Sequence, residues 1–146
     1  MITTYKSTVT KLPMGMQVMT ESRGFKLYMD EPKSMCGTNV AMTPLEALLA
    51  TLGGCQAIVA AVYAKAQGVT YDRFSVEIEG DIDLEGFKGN EDIKKGFQEI
   101  RYRMHFKTNE PKEKMEAFAK FVEHACPITE TLMHDVRLIS TGVVIE

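Results

Sequence analysis

Residues 44–67 form the longest apolar stretch in the chain, and no other feature restricts the fold as strongly. Leu45, Leu48, Leu49, Leu52, Ile58, Val59 and Val62 are separated mostly by Ala and Gly, so almost no polar face is left for solvent. Length alone would license a membrane span. The flanks, however, lack the Lys/Arg asymmetry and Trp/Tyr belts of one, and Gln56 sits mid-span. A helix apolar all round is otherwise buried in a core. Its start is well marked. Thr43 is a natural N-cap, Pro44 fits the first helical position, and Glu46 stands three after the cap, which makes a capping box. Gly68 is placed to end it. The prediction is a helix of about 24 residues, roughly 36 Å long. In so small a chain such a helix needs two walls. A sheet folded over it supplies one, and a partner chain the other, which predicts an obligate homodimer.

The flanking sequence supplies the sheet. Residues 3–12, 14–21 and 25–29 alternate loosely, with Ser22-Arg23-Gly24 as the hairpin turn between the last two. Residues 30–43 are a loop holding Pro32, Gly37 and Asn39. Phe74, Val76 and Ile78 alternate with Ser75, Glu77 and Glu79. Ile100, Tyr102, Met104 and Phe106 alternate with Arg101, Arg103, His105 and Lys107. Both stretches predict half-solvated strands, joined by a polar connection over 83–96. Residues 110–125 predict a helix with Met115, Phe118, Ala119, Val122 and Ala125 on one face, and Cys126 falls on that face too. Pro127 opens a short helix running to about His134, and 136–145 reads as a final strand. This order predicts an α+β fold, a single domain over 1–146, with antiparallel sheets around a long buried central helix.

Charge narrows the function classes. Seventeen Lys and Arg against twenty Asp and Glu give a net charge of −3. That leaves no electrostatic footprint for nucleic acid or an anionic membrane. The three cysteines, Cys36, Cys55 and Cys126, are an odd number without close pairs and make no disulfide framework. The first residues show no basic region followed by an apolar one, so the expectation is a reducing cytoplasm with free thiols. The cysteines and His105, His124 and His134 have no metal-ligand spacing, and no phosphate-binding or nucleophile-elbow motif is present. No metal and no resident cofactor are expected.

Two thiols stand out. Cys55 follows Gly53-Gly54 in mid-helix, and each glycine costs roughly 1 kcal/mol against Ala. Something needs that space, either close packing or the approach of a substrate. Its helical neighbours Leu48, Thr51, Leu52, Ile58, Val59 and Val62 make an apolar wall, which on position alone suits a buried structural cysteine. Cys126 falls at the N-cap of the helix that Pro127 begins, where backbone N–H groups favour a thiolate, with His124 two residues before. The alternative there is a small residue at a helix junction. Cys36, in the loop, reads as incidental.

The stretch Thr43-Pro44-Leu45-Glu46-Ala47-Leu48-Leu49-Ala50-Thr51-Leu52-Gly53-Gly54-Cys55-Gln56-Ala57 resembles the helix signature of the OsmC/Ohr family. Val122-Glu123-His124-Ala125-Cys126-Pro127-Ile128-Thr129-Glu130-Thr131-Leu132 looks like its second cysteine motif. The order of elements matches as well, so the likeness covers nearly the whole chain. The resemblance implies an OsmC-like fold in an intertwined homodimer. It also implies thiol peroxidase chemistry on organic hydroperoxides. The residue matching the helix cysteine, Cys55, would attack the peroxide and become a sulfenic acid. The residue matching the second, Cys126, would condense with it to a disulfide, and an external dithiol would restore both.

One departure bears on activity. The family's peroxidases carry a Glu directly after the helix-opening Pro, paired with an Arg that stabilises the thiolate. Here that position is Leu45, and Glu46 points about 180° away from Cys55. The chain therefore looks closer to the less-characterised OsmC-like branch. Arg23, at the hairpin tip, is the candidate thiolate-stabilising cation. For it, as for Arg101, Arg103 and Arg137, a solvated surface charge is the simpler reading. Two function classes follow: a Cys55/Cys126 peroxidase, or a non-catalytic dimer that binds a small apolar ligand or senses redox state.

Overall fold

Thr, Val and Met alternate near the N-terminus, and the backbone answers with three short antiparallel strands. They are β1 (Thr8–Lys11), β2 (Val18–Ser22) and β3 (Phe25–Met29), with Thr10 opposite Met19 and Thr20 opposite Leu27. The computed structural model describes all residues from Met1 to Glu146, and its contacts group them into two units, 1–50 and 51–146. Arg23 and Gly24 turn β2 into β3 with φ of 54° and 87°. Positive φ at both central residues is what a two-residue hairpin needs to match strand twist. The first two strands are shorter than the alternation predicted, because residues 12–17 form a tight loop closed by Leu12 N–H on the Gln17 carbonyl at 2.8 Å.

After β3 the first unit is organised by one carboxylate. Asp30, 1% exposed, accepts the N–H groups of Glu31, Thr38 and Val40 and the Thr38 hydroxyl. These bonds fold the 30–40 loop around it, including a 3-10 turn at Lys33–Met35 and left-handed Cys36 and Asn39. Helix α1 (Pro44–Tyr63) then starts with the predicted capping box. Thr43 N–H donates to Glu46, and Glu46 N–H donates to the Thr43 hydroxyl, at 2.7 and 3.2 Å. Within 1–50 only Asp30 and Ala47 are buried.

In the second unit α1 continues to Tyr63 and ends a turn earlier than predicted. Val69 N–H bonds the Ala64 carbonyl at 2.9 Å across left-handed Gly68, the expected terminator. Strands β4 (Arg73–Asp81) and β5 (Glu99–Lys107) pair antiparallel over their whole length. Phe74, Val76 and Ile78 stand opposite Phe106, Met104 and Tyr102, which gives the ribbon one apolar face. A short helix α2 (Leu84–Phe87), capped by Asp83, interrupts the expected polar connection. Helix α3 (Lys112–Ala125) buries Met115, Phe118 and Val122, and α4 (Pro127–Met133) follows at once. The core joins these to Leu52, Val59, Ala60, Val69 and Cys126, with the Phe74 and Phe106 rings 4.8 Å apart at its edge.

Two expectations are corrected. The central helix is not buried all round: Leu52, Gln56, Val59 and Ala60 face the core, while Ile58 and Val62 are about two-thirds exposed. One ribbon and one helix cover a single side of a cylinder. By length and composition α1 could cross a bilayer, yet its buried stripe belongs to the core. The predicted strand over 136–145 is also absent. Val136, Leu138, Val143 and Ile145 are exposed and irregular. Alternation defines which face of a strand would be covered, but it takes a neighbouring strand to make the hydrogen bonds.

Candidate active site: a thiol pair at a helix junction

Cys126 ends α3 and caps α4. Its extended backbone (φ −80°, ψ 114°) breaks the helical path, and Pro127 at the first position of α4 restarts it. That geometry turns the sulfur onto the new helix, and Thr129 N–H donates to Sγ at 3.5 Å. The Thr129 hydroxyl, itself buried and without a well-formed partner, lies beside the same sulfur. Cys126 is 1% exposed.

Cys55 arrives from α1. Gly53, two residues earlier, lets the helix sit on the β4 ribbon. Cys55 packs against the core cluster that contains Cys126 and stays partly exposed. The two thiols are free, not bridged. Cys36 is exposed and belongs to the first unit.

The pair is polarised. Burial pushes the Cys55 thiol up, and the neighbouring Cys126 pushes it further, against one backbone N–H from Ile128. Burial acts on Cys126 in the same sense, but there the Thr129 hydroxyl and N–H, the Cys55 S–H and the Ile128 N–H outweigh it, and the net shift is down. The thiol that the cap was expected to acidify is the more acidic of the two. His124 is exposed and is not among the groups that act on it. Burial raises the phenol of Tyr102 on β5, and the neighbouring Glu123 of α3 and Cys126 push it the same way.

Of the candidate cations, Arg23 sits in the first unit with its guanidinium 5.3 Å from the Phe25 ring centroid. Arg101 is tied to Glu79, Asp81 and Glu99 on the exposed side of the β4–β5 ribbon. No group of three metal-ligating side chains is gathered anywhere. Sequence reasoning missed Gln56. It is 0% exposed, and neither its amide nitrogen nor its oxygen has a partner. The polar residue interrupting the apolar run was visible, but its burial was not. Thr129 was also missed, although its place three residues after a capping residue was available as a signal.

Fold and site together define an α+β protein in which a mid-helix cysteine meets a cysteine that caps a second helix. Residues 37–140 match the family model for OsmC-like proteins, and the chain belongs to that family. No curated protein matches the sequence. Among solved structures, an OsmC-like protein of Mycoplasma pneumoniae is 24% identical, with 91% of this chain and 89% of that one covered at a TM-score of 0.80. An organic hydroperoxide resistance protein OsmC of Legionella pneumophila is 19% identical, with 90% of each chain covered and a TM-score of 0.67. An organic hydroperoxide resistance protein of Vibrio cholerae, with captopril bound in one of its active sites, is 20% identical. It covers 90% of this chain and 87% of its own, with a TM-score of 0.63. At these identities the likeness carries the fold.

Proposed function

We propose that the chain is a thiol peroxidase that reduces organic hydroperoxides through Cys55 and Cys126. The observation that carries this reading is that two free thiols far apart in sequence are packed into one core cluster, one partly exposed and one buried. The Cys55 sulfur attacks the outer peroxide oxygen. An S–O bond forms, the O–O bond breaks, and the alkoxide leaves as the alcohol. The Cys126 thiolate then attacks the sulfenic sulfur of Cys55. The S–S bond forms, the S–O bond breaks, and hydroxide leaves as water. An external dithiol returns both sulfurs to thiols by exchange, so no resident cofactor takes part. Free thiols at the site suit a reducing compartment such as the cytoplasm.

The working form in this reading is an intertwined homodimer. The chain exposes 11564 Å², against roughly 7,500 Å² for a compact monomer of its mass. The first unit has a three-stranded sheet and almost no core, and the bare face of α1 and the apolar 136–145 segment await cover. A second copy supplies all three. Leu45 in place of the family's acidic residue favours the second reading, a dimer that binds an apolar ligand or senses redox state without turnover.

The test is consumption of cumene hydroperoxide with dithiothreitol as reductant. Turnover that disappears in Cys55→Ser supports the peroxidase. Equal turnover in Cys55→Ser ends it. No turnover, with a ligand-dependent rise in melting temperature, supports the binder.

A further inference from the structure

Helix α4 is short and puts little of itself into the core. It runs for seven residues, from Pro127 to Met133, which is just under two turns, and of these only Thr129 is buried. A helix of that length is marginal without support from outside it. Ile128 supplies some by packing against the core cluster. The first turn is held by a single side-chain atom. The Cys126 sulfur caps α4 by accepting the Thr129 N–H at 3.5 Å. The same contact lays that turn against the sulfur, which is 1% exposed.

We propose that α4 is a redox-coupled cover over Cys126, capped and closed while Cys126 is a free thiol, and uncapped and loosened once its sulfur is bonded to Cys55. The inference rests on the peroxidase reading and adds a conformational response to the same pair. An N-cap works by aiming an acceptor at the N–H groups of the first turn. As a free thiol Cys126 turns about its own Cα–Cβ bond and meets Thr129. In a disulfide the sulfur is placed instead by a Cβ–S–S–Cβ torsion near ±90° and by a second Cβ about 3.5–4.5 Å away. It also has no thiolate form, so a charge-assisted bond is no longer available to it. Sulfur is a weak acceptor at best, and a modest misalignment is enough to release the N–H.

Closing the disulfide breaks two S–H bonds, forms one S–S bond and removes two electrons. With a hydroperoxide the oxygens leave as the alcohol and water. With diamide the two electrons and two protons reduce the N=N bond to the hydrazine. Loosening α4 then opens the Cys126 end of the disulfide to the dithiol that regenerates the pair. The dithiol meets a sealed sulfur in the resting protein and a reachable one in the oxidised protein.

The experiment is amide hydrogen exchange, followed by NMR, on the intact protein carrying Cys36→Ser, so that Cys55 and Cys126 are the only pair left within the chain. Reduced protein is compared with protein oxidised by diamide, the Cys55–Cys126 link being confirmed by peptide mapping. Cys126→Ala removes the cap without a disulfide, and Cys126→Ser keeps a capping oxygen. Exchange at Thr129 and Glu130 is expected to be at least about fivefold faster in the disulfide form and in Cys126→Ala than in the reduced protein. Cys126→Ser should stay within about twofold of it, and Val122 in α3 should not change. Should Cys126→Ala fail to fold, the two redox forms and Cys126→Ser decide. Equal exchange in the two redox forms overturns the proposal and leaves the peroxidase reading intact, as does an equal acceleration at Val122, which would mean a general loosening. A link formed by diamide but not by cumene hydroperoxide removes the peroxidase reading, while the exchange comparison still decides whether α4 responds. Failure of both oxidants to link the two cysteines removes the reading and the inference together.

Discussion

Gly53 and Ile78 meet so closely that a Cβ on the glycine would stand 2.8 Å from the Ile78 Cδ1. The contact brings α1 down onto β4 and sets the height at which Cys55 enters the site. Gly53→Ala gains helix propensity of about 1 kcal/mol but must displace a packed methyl. Ile78→Val removes that methyl at a cost of about 0.5–1.5 kcal/mol. The two changes should therefore couple. Urea unfolding of the singles and the double is expected to show the double more stable than the sum of the singles by at least about 0.5 kcal/mol. Strict additivity would mean that α1 is not seated on Ile78.

Gln56 predicts a stabilising core substitution. A buried amide with no partner costs about 1–3 kcal/mol in desolvation. Gln56→Met has similar volume, keeps the helix and removes the orphaned atoms. Its unfolding free energy should exceed the parent's by about 1 kcal/mol or more. A loss instead would reveal a bonded partner for the amide, such as an internal water.

Asp30 predicts acid sensitivity in the first unit. Burial pushes its carboxyl up, but the Thr38 hydroxyl and the N–H groups of Glu31, Val40 and Thr38 outweigh that and hold it at about 2. The folded value lies below the unfolded one, so the unfolded state binds protons first as pH falls. The stabilisation is fully present above about pH 4 and disappears as pH drops toward 2. Asp30→Asn should lower the melting temperature at neutral pH and flatten its dependence between pH 4 and 2. A parallel pair of curves would show that the carboxylate is not the anchor of the loop.

Assembly is testable by sedimentation equilibrium. The expected mass is twice 16.3 kDa. Ile58→Glu places a charge on the bare face of α1, where a buried unpaired carboxylate is strongly unfavourable. It is expected to shift the protein toward monomer or aggregate without touching the core stripe. A parent that runs as a monomer would remove the proposed partner from the site.

The features legible in the sequence are the local ones. The Thr43–Glu46 capping box spans four residues, and the structure forms it in both directions. Cys126 as a cap follows from its neighbour Pro127, and the β4 and β5 faces follow from period two. Less was legible wherever the outcome depends on a distant surface. Apolar residues all round α1 gave no sign of which face would meet β4 and α3. Alternation over 136–145 gave no sign that its partner strand is missing from the chain's own sheets. Nothing around Gln56 distinguished a buried amide from a solvated one.

Read alone, the residue order determined the helix starts, the strand faces and the presence of two unusual cysteines, because each depends on backbone geometry repeating within a few positions. Only the tertiary structure decided that the two cysteines share one core cluster, which of them is sealed and which open, and in which direction each thiol's pKa moves. Those properties come from burial and from N–H groups contributed by the turn after Cys126, and a linear string does not specify how deeply an atom lies or what it faces.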